Sequence, residues 1–351
     1  MKQNLSRLKR SLGWFLIITA NRLIGRAVAP DPYGSLFIET TGHCNLACRF
    51  CSYDKRVRER TVMNHDHFAR LVTQAADAGY RHLWLTPQTG DVFTDRGFLE
   101  RIAVIEASAM PAYSFYTNLI GASAPQLDVL AASTKLKEFH VSLYGETLER
   151  FQAITKRQPS QFDRLLANLD HLIDGAGWAG RLKLTLRTGA DFSEHGWSGP
   201  LAERVRALVR KQGATFDHDT EYDSWGGLIG PEDVSGLGVE IRDGSGYYKR
   251  GVCIRAIGSV QVMADGSVNA CACRDPMGAL TIGDTRRQDL SEIVSPSNSR
   301  YADLLSGMNR GIFPDPCVKC SMYRSIYDPR WTRGYDGDVL RIAALSDLWG
   351  Q

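Results

Sequence analysis

The sequence predicts a partial (β/α)6 TIM-like barrel followed by a small domain built from a β-hairpin and short helices. Two observations carry this. From residue 33 onward, short apolar strand segments alternate with longer segments of helical periodicity, the pattern of a parallel sheet with crossover helices. After Trp225-Gly226-Gly227 the alternation stops, and an Asp-Gly turn between two alternating runs signals a hairpin instead.

The expected strands are 35–40, 82–86, 112–117, 138–142, 182–188 and 214–221. Between them, 65–78, 126–133, 162–173 and 200–211 place apolar residues on one helical face. In a barrel of this kind, chemistry gathers at the C-terminal ends of the strands. Residues 226–251, rich in Gly and charge, read as a connector. The hairpin pairs 259–263 with 268–272 around Ala264-Asp265-Gly266, and 290–294 and 300–305 read as helices. The chain is thus expected to divide into an N-terminal helix (1–32), a core (33–225), a small C-terminal domain (226–325) and a tail (326–351).

A formal net charge of +3 over 351 residues argues for neither a nucleic acid nor an anionic substrate. The first residues have a signal-peptide outline: Lys2, Arg7, Lys9 and Arg10 precede an apolar run over 12–20, and Ala27-Val28-Ala29 resembles a cleavage site. Asn21, Arg22 and Arg26 interrupt it, and the run is far shorter than the ~20 apolar residues of a membrane span. Leu8, Leu12, Phe15, Leu16, Thr19 and Leu23 fall near one face. They predict an amphipathic helix, packed on the domain or in peripheral contact with a membrane.

The eight cysteines are clustered. Cys44, Cys48 and Cys51 are followed by none until Cys253, Cys271, Cys273, Cys317 and Cys320. A disulfide framework would be shorter and denser, so the pattern reads as two metal sites. The first, Cys-x3-Cys-x2-Cys, directly follows the first strand. Three thiolates on one tight loop can hold three irons of a cubane cluster and leave the fourth iron open to a ligand. A zinc site would want a fourth Cys or His close by, and His43 is poorly placed to chelate beside Cys44.

This segment, with Phe50 in the position before the last cysteine, resembles the radical S-adenosylmethionine (SAM) superfamily, whose hallmark is Cys-x3-Cys-x-aromatic-Cys. The resemblance covers roughly residues 33–225, and further matches follow in order. Thr89-Gly90-Asp91 resembles the family's Gly-Gly-Glu segment for the SAM amino group, with Asp for Glu and Thr for Gly. Thr117-Asn118 matches a pair after the third strand, and Ser142-Leu143-Tyr144-Gly145 the segment whose Ser contacts the ribose. Arg187 falls where relatives hold the SAM carboxylate, a group that an Arg fork suits. The resemblance implies SAM contacts at Phe50, Tyr53, Thr89, Gly90, Asp91, Thr117, Asn118, Ser142 and Arg187. It also implies a SAM-binding 4Fe–4S cluster that generates a 5′-deoxyadenosyl radical.

Cys253, Cys271, Cys317 and Cys320 supply four more thiolates. Spacing alone fits a second cubane cluster and a structural zinc equally. Their arrangement, Cys-x17-Cys then Cys-x2-Cys, resembles the SPASM/twitch extension of many radical SAM enzymes, in its shorter twitch form. That implies one auxiliary 4Fe–4S cluster. Cys273 is left over, as a packed thiol, an alternative ligand, or a hydrogen-atom donor of the kind found in radical epimerases.

The resemblance therefore implies an oxidoreductase acting on an unactivated C–H bond of a small, sugar- or aminocyclitol-like molecule or of a peptide, with the auxiliary cluster accepting the electron. The alternatives are an epimerase using Cys273, a ribosomal-peptide maturase and a non-catalytic metal-binding protein. The ~30 residues before the first strand are fewer than an independently folding domain usually needs, which weighs against a fused peptide-recognition domain. Tyr53, Gln88, Tyr116, Asp217, Asp219, Glu221 and Trp225 are the expected substrate-facing residues, with Asp219 or Glu221 as proton acceptor. Thiolate ligands require reducing surroundings, so a cytoplasmic location and a flavodoxin- or ferredoxin-like electron donor are expected.

Overall fold

A computed structural model describes residues 34–55, 58–272, 275–295 and 297–326, with Leu16, Ala20 and Leu23 and the backbone of two short strands, β1 (Val28–Pro30) and β13 (Ile342–Ala344). The latter two pair antiparallel. Six strands run parallel in chain order: β2 (Ser35–Ile38), β3 (His82–Trp84), β4 (Tyr113–Thr117), β5 (Leu136–Tyr144), β6 (Leu182–Arg187) and β7 (Thr215–Asp219). Helices α1 (His65–Asp77), α2 (Phe98–Ala107), α3 (Ala124–Ala132), α4 (Leu148–Thr155), α5 (Pro159–Asp174) and α6 (Pro200–Gln212) connect them. This is the expected partial barrel.

Alternation along the strands makes its two faces. In β6, Leu182, Leu184 and Leu186 are buried, while Lys183, Thr185 and Arg187 are half-buried on the opposite face. Parallel register then aligns the strand ends: Tyr144 pairs with Arg187, and Arg187 with Asp219. The helices start where local chemistry allows. Asn64 caps α1 by accepting from His67 N at 3.1 Å, and Thr147 caps α4 through Arg150 N at 3.2 Å. Helices α5 and α6 open on Pro159 and Pro200, where no N–H is needed. Helices α2 and α4 go beyond the sequence expectation. The buried Phe98, Ile102 and Ile105 of α2 are its apolar stripe.

Three findings revise the expected plan. The strand expected over 214–221 splits: β7 ends at Asp219, and β8 (Glu221–Asp223) leaves the sheet to pair in parallel with β9 (Glu240–Arg242). Tyr222 drives the break. Its ring stacks on Phe50 at 4.3 Å between centroids, and its hydroxyl donates to the Asp219 carbonyl (2.9 Å) or the Thr188 carbonyl (3.0 Å). The expected connector 226–251 is packed rather than loose. Ile229, Val234 and Leu237 join Phe50, Ile154 and Tyr222 in a second apolar cluster. The hairpin, β10 (Gln261–Val262) and β11 (Ser267–Asn269), forms as expected around Gly266 at φ +89°. It does not stand apart: β10 pairs in parallel with β2, and β12 (Thr281–Asp284) extends the same nine-stranded sheet. The small helices α7 (Ile254–Gly258), α8 (Leu290–Ile293), α9 (Ser299–Asn309) and α10 (Asp315–Val318) complete the C-terminal part.

Among the described residues no helix is long and apolar enough to cross a membrane. Of the amphipathic helix expected within 1–32, Leu16 and Leu23 are helical and exposed. The remainder, with any membrane contact, lies outside the described residues, as does the tail apart from Ile326 and β13.

One buried ion pair anchors the second βα unit. Arg101 Nε donates to Asp95 Oδ2 at 2.5 Å, with both side chains almost wholly buried, and Arg101 Nη2 donates to the Met63 carbonyl. Asp95→Ala leaves the guanidinium uncompensated and is expected to cost ~3–5 kcal/mol in urea unfolding. Removing the exposed Lys211–Asp174 pair with Asp174→Ala is expected to cost under ~1 kcal/mol.

Candidate active site

Cys44, Cys48 and Cys51 follow β2 on a loop that ends in a single 3-10 turn, Ser52–Lys55. All three line one cavity at the C-terminal strand ends. Its space is about 900 Å³ with the open mouth included. The loop is fastened from several directions. Cys44 N donates to the Tyr53 hydroxyl (3.1 Å) and Asn118 Nδ2 to Asn45 Oδ1 (2.6 Å). Arg157 Nε donates to the Asn45 carbonyl (2.8 Å), and Trp225 Nε1 to the Phe50 carbonyl (3.0 Å). Ala47 N and Arg49 N donate to the carbonyls of Thr155 and Ile154 at the end of α4.

His43 is exposed and does not line the cavity. The lining therefore offers three thiols and no imidazole, the donor set for three irons of a cubane with the fourth left open. Burial, with the Asp91 carboxylate adding, pushes the Cys44 thiol up to about 12. Burial also raises Cys48 well above its usual range, with Cys51 and Cys44 adding.

All nine residues expected to touch SAM line this cavity. Gly90 has no room for a side chain, since a Cβ would stand 2.8 Å from the His43 carbonyl oxygen. Asp91 is already engaged. Its Oδ1 accepts from Phe93 N (3.0 Å), and its Oδ2 from Thr117 Oγ1 (2.8 Å) and Asn118 N (2.6 Å). Burial pushes its carboxyl above the usual range despite those donors. A carboxylate has about four lone-pair sites, so Asp91 keeps capacity for one more donor while tying the end of β3 to that of β4. Arg187 reaches the lining from the end of β6, 3.7 Å from Asp219. Gly145, at φ +75°, lets the chain turn sharply after Tyr144, because a Cβ there would meet Phe151 N at 2.5 Å.

Of the expected substrate-facing residues, Tyr53, Gln88, Tyr116 and Trp225 line the cavity, and Asp217, Asp219 and Glu221 do not. Asp217 and Glu221 are exposed; β8 turns Glu221 away from the strand ends, where it pairs with Arg242. With its amide oriented to match, Gln88 donates to the Asp275 carbonyl (2.9 Å) and accepts from Asp275 N (3.1 Å). Sequence reasoning missed Thr86, Pro87, Tyr222 and Asp223 in the lining. Asp223 sits two residues beyond Glu221, at the other end of β8, and only the break after β7 brings it to the cavity. It accepts from Trp225 N (2.7 Å) and from the Ser321 hydroxyl, and Ser321 directly follows Cys320.

Cys253, Cys271, Cys317 and Cys320 line a second cavity with Arg255, Ala256, Leu280, Met308, Met322 and Tyr323. Pairing of 252–254 with 324–326 brings Cys253 to the Cys317–Cys320 turn. Arg324 N donates to Cys253 Sγ (3.4 Å) and Met322 N to Cys320 Sγ (3.3 Å). Burial raises the Cys317 thiol far above its usual value, with Cys253 and Cys320 adding. Among the described residues no three His, Cys, Asp or Glu side chains converge as ligands of a single ion. Cys273 lies outside the described residues.

The Asp91 tie gives a direct expectation. Asp91→Asn sets an NH2 group against backbone or hydroxyl donors and is expected to cost ~1–3 kcal/mol in urea unfolding of the iron-free protein. Unchanged stability would confine Asp91 to ligand contact.

Residues 38–177 match the family model described as Radical SAM superfamily. No curated protein matches the sequence. Among solved structures, the chain is similar to Streptococcus suis SuiB bound to precursor peptide SuiA, at 14% identity and TM-score 0.54, covering 87% of this chain and 72% of that one. It is also similar to BtrN in complex with AdoMet and 2-DOIA, at 14% identity and TM-score 0.51, covering 82% and 93%. A third is anSMEcpe with bound AdoMet, at 15% identity and TM-score 0.51, covering 78% and 80%. At these identities the likeness is one of fold. The three-thiol loop at the barrel mouth lies within the stretch, residues 38–177, that matches the radical SAM superfamily model.

Proposed function

We propose that the protein is a radical SAM oxidoreductase that removes two electrons from a C–H-bearing substrate. The observation that carries this reading is the pair of thiol cavities, one with three thiols and an open mouth, the other with four. When bound, a reduced cluster at the triad would supply the electron that splits SAM into methionine and a 5′-deoxyadenosyl radical, and a second cluster would take an electron from the substrate radical. Cys253, Cys271, Cys317 and Cys320 line one cavity, and four thiolates suit a fully ligated cubane cluster.

The chain's own groups then have defined tasks. Arg187 offers its fork to the SAM carboxylate. Asp91 has one acceptor site left for the SAM ammonium, and Ser142 faces the ribose. Tyr53, Tyr116 and Trp225 wall the remaining space and exclude water. Asp223 replaces Asp219 and Glu221 as proton acceptor, because it lines the cavity and they do not. Asp223, whose carboxylate is bonded to the hydroxyl beside Cys320, is placed to take the substrate's proton, while a cluster held by Cys253, Cys271, Cys317 and Cys320 would take the second electron.

The substrate is a small polar molecule or a peptide. The solved neighbours hold 2-DOIA in BtrN and a precursor peptide in SuiB, so both classes belong in the assay. A reducing, cytoplasmic setting and a flavodoxin- or ferredoxin-like donor suit the thiol sites. An epimerase using Cys273 is the second reading. It is favoured by the neighbours of Cys273 in the chain: Cys271 lines the four-thiol cavity, and Asp275 is bonded to Gln88 of the triad cavity.

Anaerobic reconstitution tests the proposal. About eight irons per chain are expected, as for two cubane clusters, with 5′-deoxyadenosine formed from SAM under reductant. Cys317→Ala with Cys320→Ala should keep SAM cleavage, halve the iron and abolish oxidised product. Zinc at the second site, or no SAM cleavage, contradicts the proposal. Solvent deuterium in an unoxidised product, lost in Cys273→Ala, would select the epimerase.

A further inference from the structure

One short segment, residues 223–227, runs between the two thiol turns. Asp223 ends β8, and Ser224 N still donates to the Arg242 carbonyl at the end of β9 (3.2 Å). The next three residues all take left-handed backbone: Trp225 at φ +51°, Gly226 at +67° and Gly227 at +93°. Glycine adopts that conformation without steric conflict, and a bulky side chain does not. Gly226 also has no room for a side chain, since a Cβ would stand 2.9 Å from Pro316 Cα. Trp225 thus keeps an indole at a strained position, and such strain persists only where the surroundings hold it.

Trp225 is held from both sides. Its N donates to Asp223 Oδ1 (2.7 Å), and Asp223 Oδ2 accepts from the hydroxyl of Ser321, next to Cys320. Ser224 Oγ donates to the Lys319 carbonyl (3.2 Å), on the other side of Cys320. The indole itself lines the triad cavity, and its Nε1 donates to the Phe50 carbonyl (3.0 Å), in the peptide that carries the Cys51 N–H. We propose that Trp225 is a positioning residue, clasped by Ser321 through Asp223, that fixes the triad loop and its cavity wall for SAM. This rests on the reading of the triad cavity as the SAM site. The position of the Cys317–Cys320 turn is thereby passed to the Cys44–Cys51 loop through two side-chain links and one indole. Loss of the Ser321 hydroxyl should then be felt in a cavity that Ser321 does not line.

The iron-free full chain tests the clasp without any cluster. Trp225→Gly is expected to unfold at higher urea than Trp225→Ala, because alanine keeps the steric conflict of the left-handed position and glycine does not. In chains that also carry Ser321→Ala this advantage should shrink, since the backbone at 225 is then freer to relax. In the reconstituted chain, Ser321→Ala is expected to bind SAM at least about fivefold more weakly at unchanged iron content. Ser321→Thr keeps the hydroxyl and should stay within about twofold. In a Trp225→Phe background, which lacks the indole donor, Ser321→Ala should add nothing. Affinity rather than turnover is read, because Asp223 is also the proposed proton acceptor. A midpoint for Trp225→Gly no higher than for Trp225→Ala, or the same advantage with and without Ser321→Ala, overturns the proposal. So does unchanged SAM affinity in Ser321→Ala, the result of a bond that is structural alone. Should Ser321→Ala lose iron the urea comparison decides, and should neither variant at 225 fold the SAM affinities do. No iron and no SAM binding in the unmutated chain instead overturns the cluster reading, and the urea order at 225 then decides the clasp.

Discussion

A loop with almost no secondary structure of its own has to hold three thiols toward an open cavity, and the rest of the fold is arranged around that constraint. Cys44–Cys51 cannot be stabilised by its own ladder or helix, so its polar groups are satisfied from elsewhere. Asn118 at the end of β4, Arg157 after α4 and Trp225 beyond β8 each bond the loop. Arg49 Nε and Nη2 reach the carbonyls of Asp233 and Ser235, both at 2.9 Å. Strand ends, a crossover helix and the chain after the barrel thus converge on eight residues. Parallel register is what makes the convergence possible, because it brings Thr117, Ser142 and Arg187 to one rim.

The same constraint explains what the sequence disclosed. The triad and the strand-end residues Asp91, Thr117, Asn118, Ser142 and Arg187 were legible because short local patterns fall at the ends of apolar strands. The six strands and the hairpin were legible from periodicity. Asp223 was not, because its place depends on the chain leaving the sheet after Asp219. That departure is decided by Tyr222 stacking on Phe50, a contact between residues far apart in the chain. The packing of residues 226–251 was hidden for a similar reason: Ile229, Val234 and Leu237 are too sparse to form a periodic pattern, yet they meet a ready apolar patch on the triad loop. Asp91 was found for its carboxylate, but its structural bonds to Phe93, Thr117 and Asn118 required the two strand ends to be seen together.

The two thiol cavities are joined by short polar links. Asp223 in the triad cavity accepts from Ser321 beside Cys320, and Gln88 in the same cavity bonds the backbone of Asp275 in the C-terminal part. Ser224 Oγ donates to the Lys319 carbonyl at 3.2 Å. With β10 hydrogen-bonded to β2, the C-terminal part is built onto the barrel rather than tethered to it. That continuity suits chemistry in which a proton and an electron leave one substrate toward the same side.

In the proposed function, one chain holds an open cluster and a closed one. EPR of the dithionite-reduced, reconstituted protein, recorded with and without SAM, tests it most directly. Two signals are expected, of which SAM alters one and leaves the other unchanged, since in the proposed arrangement only a cluster at Cys44, Cys48 and Cys51 would have an iron free to bind it. A single signal, or a spectrum that SAM does not alter, would contradict the account.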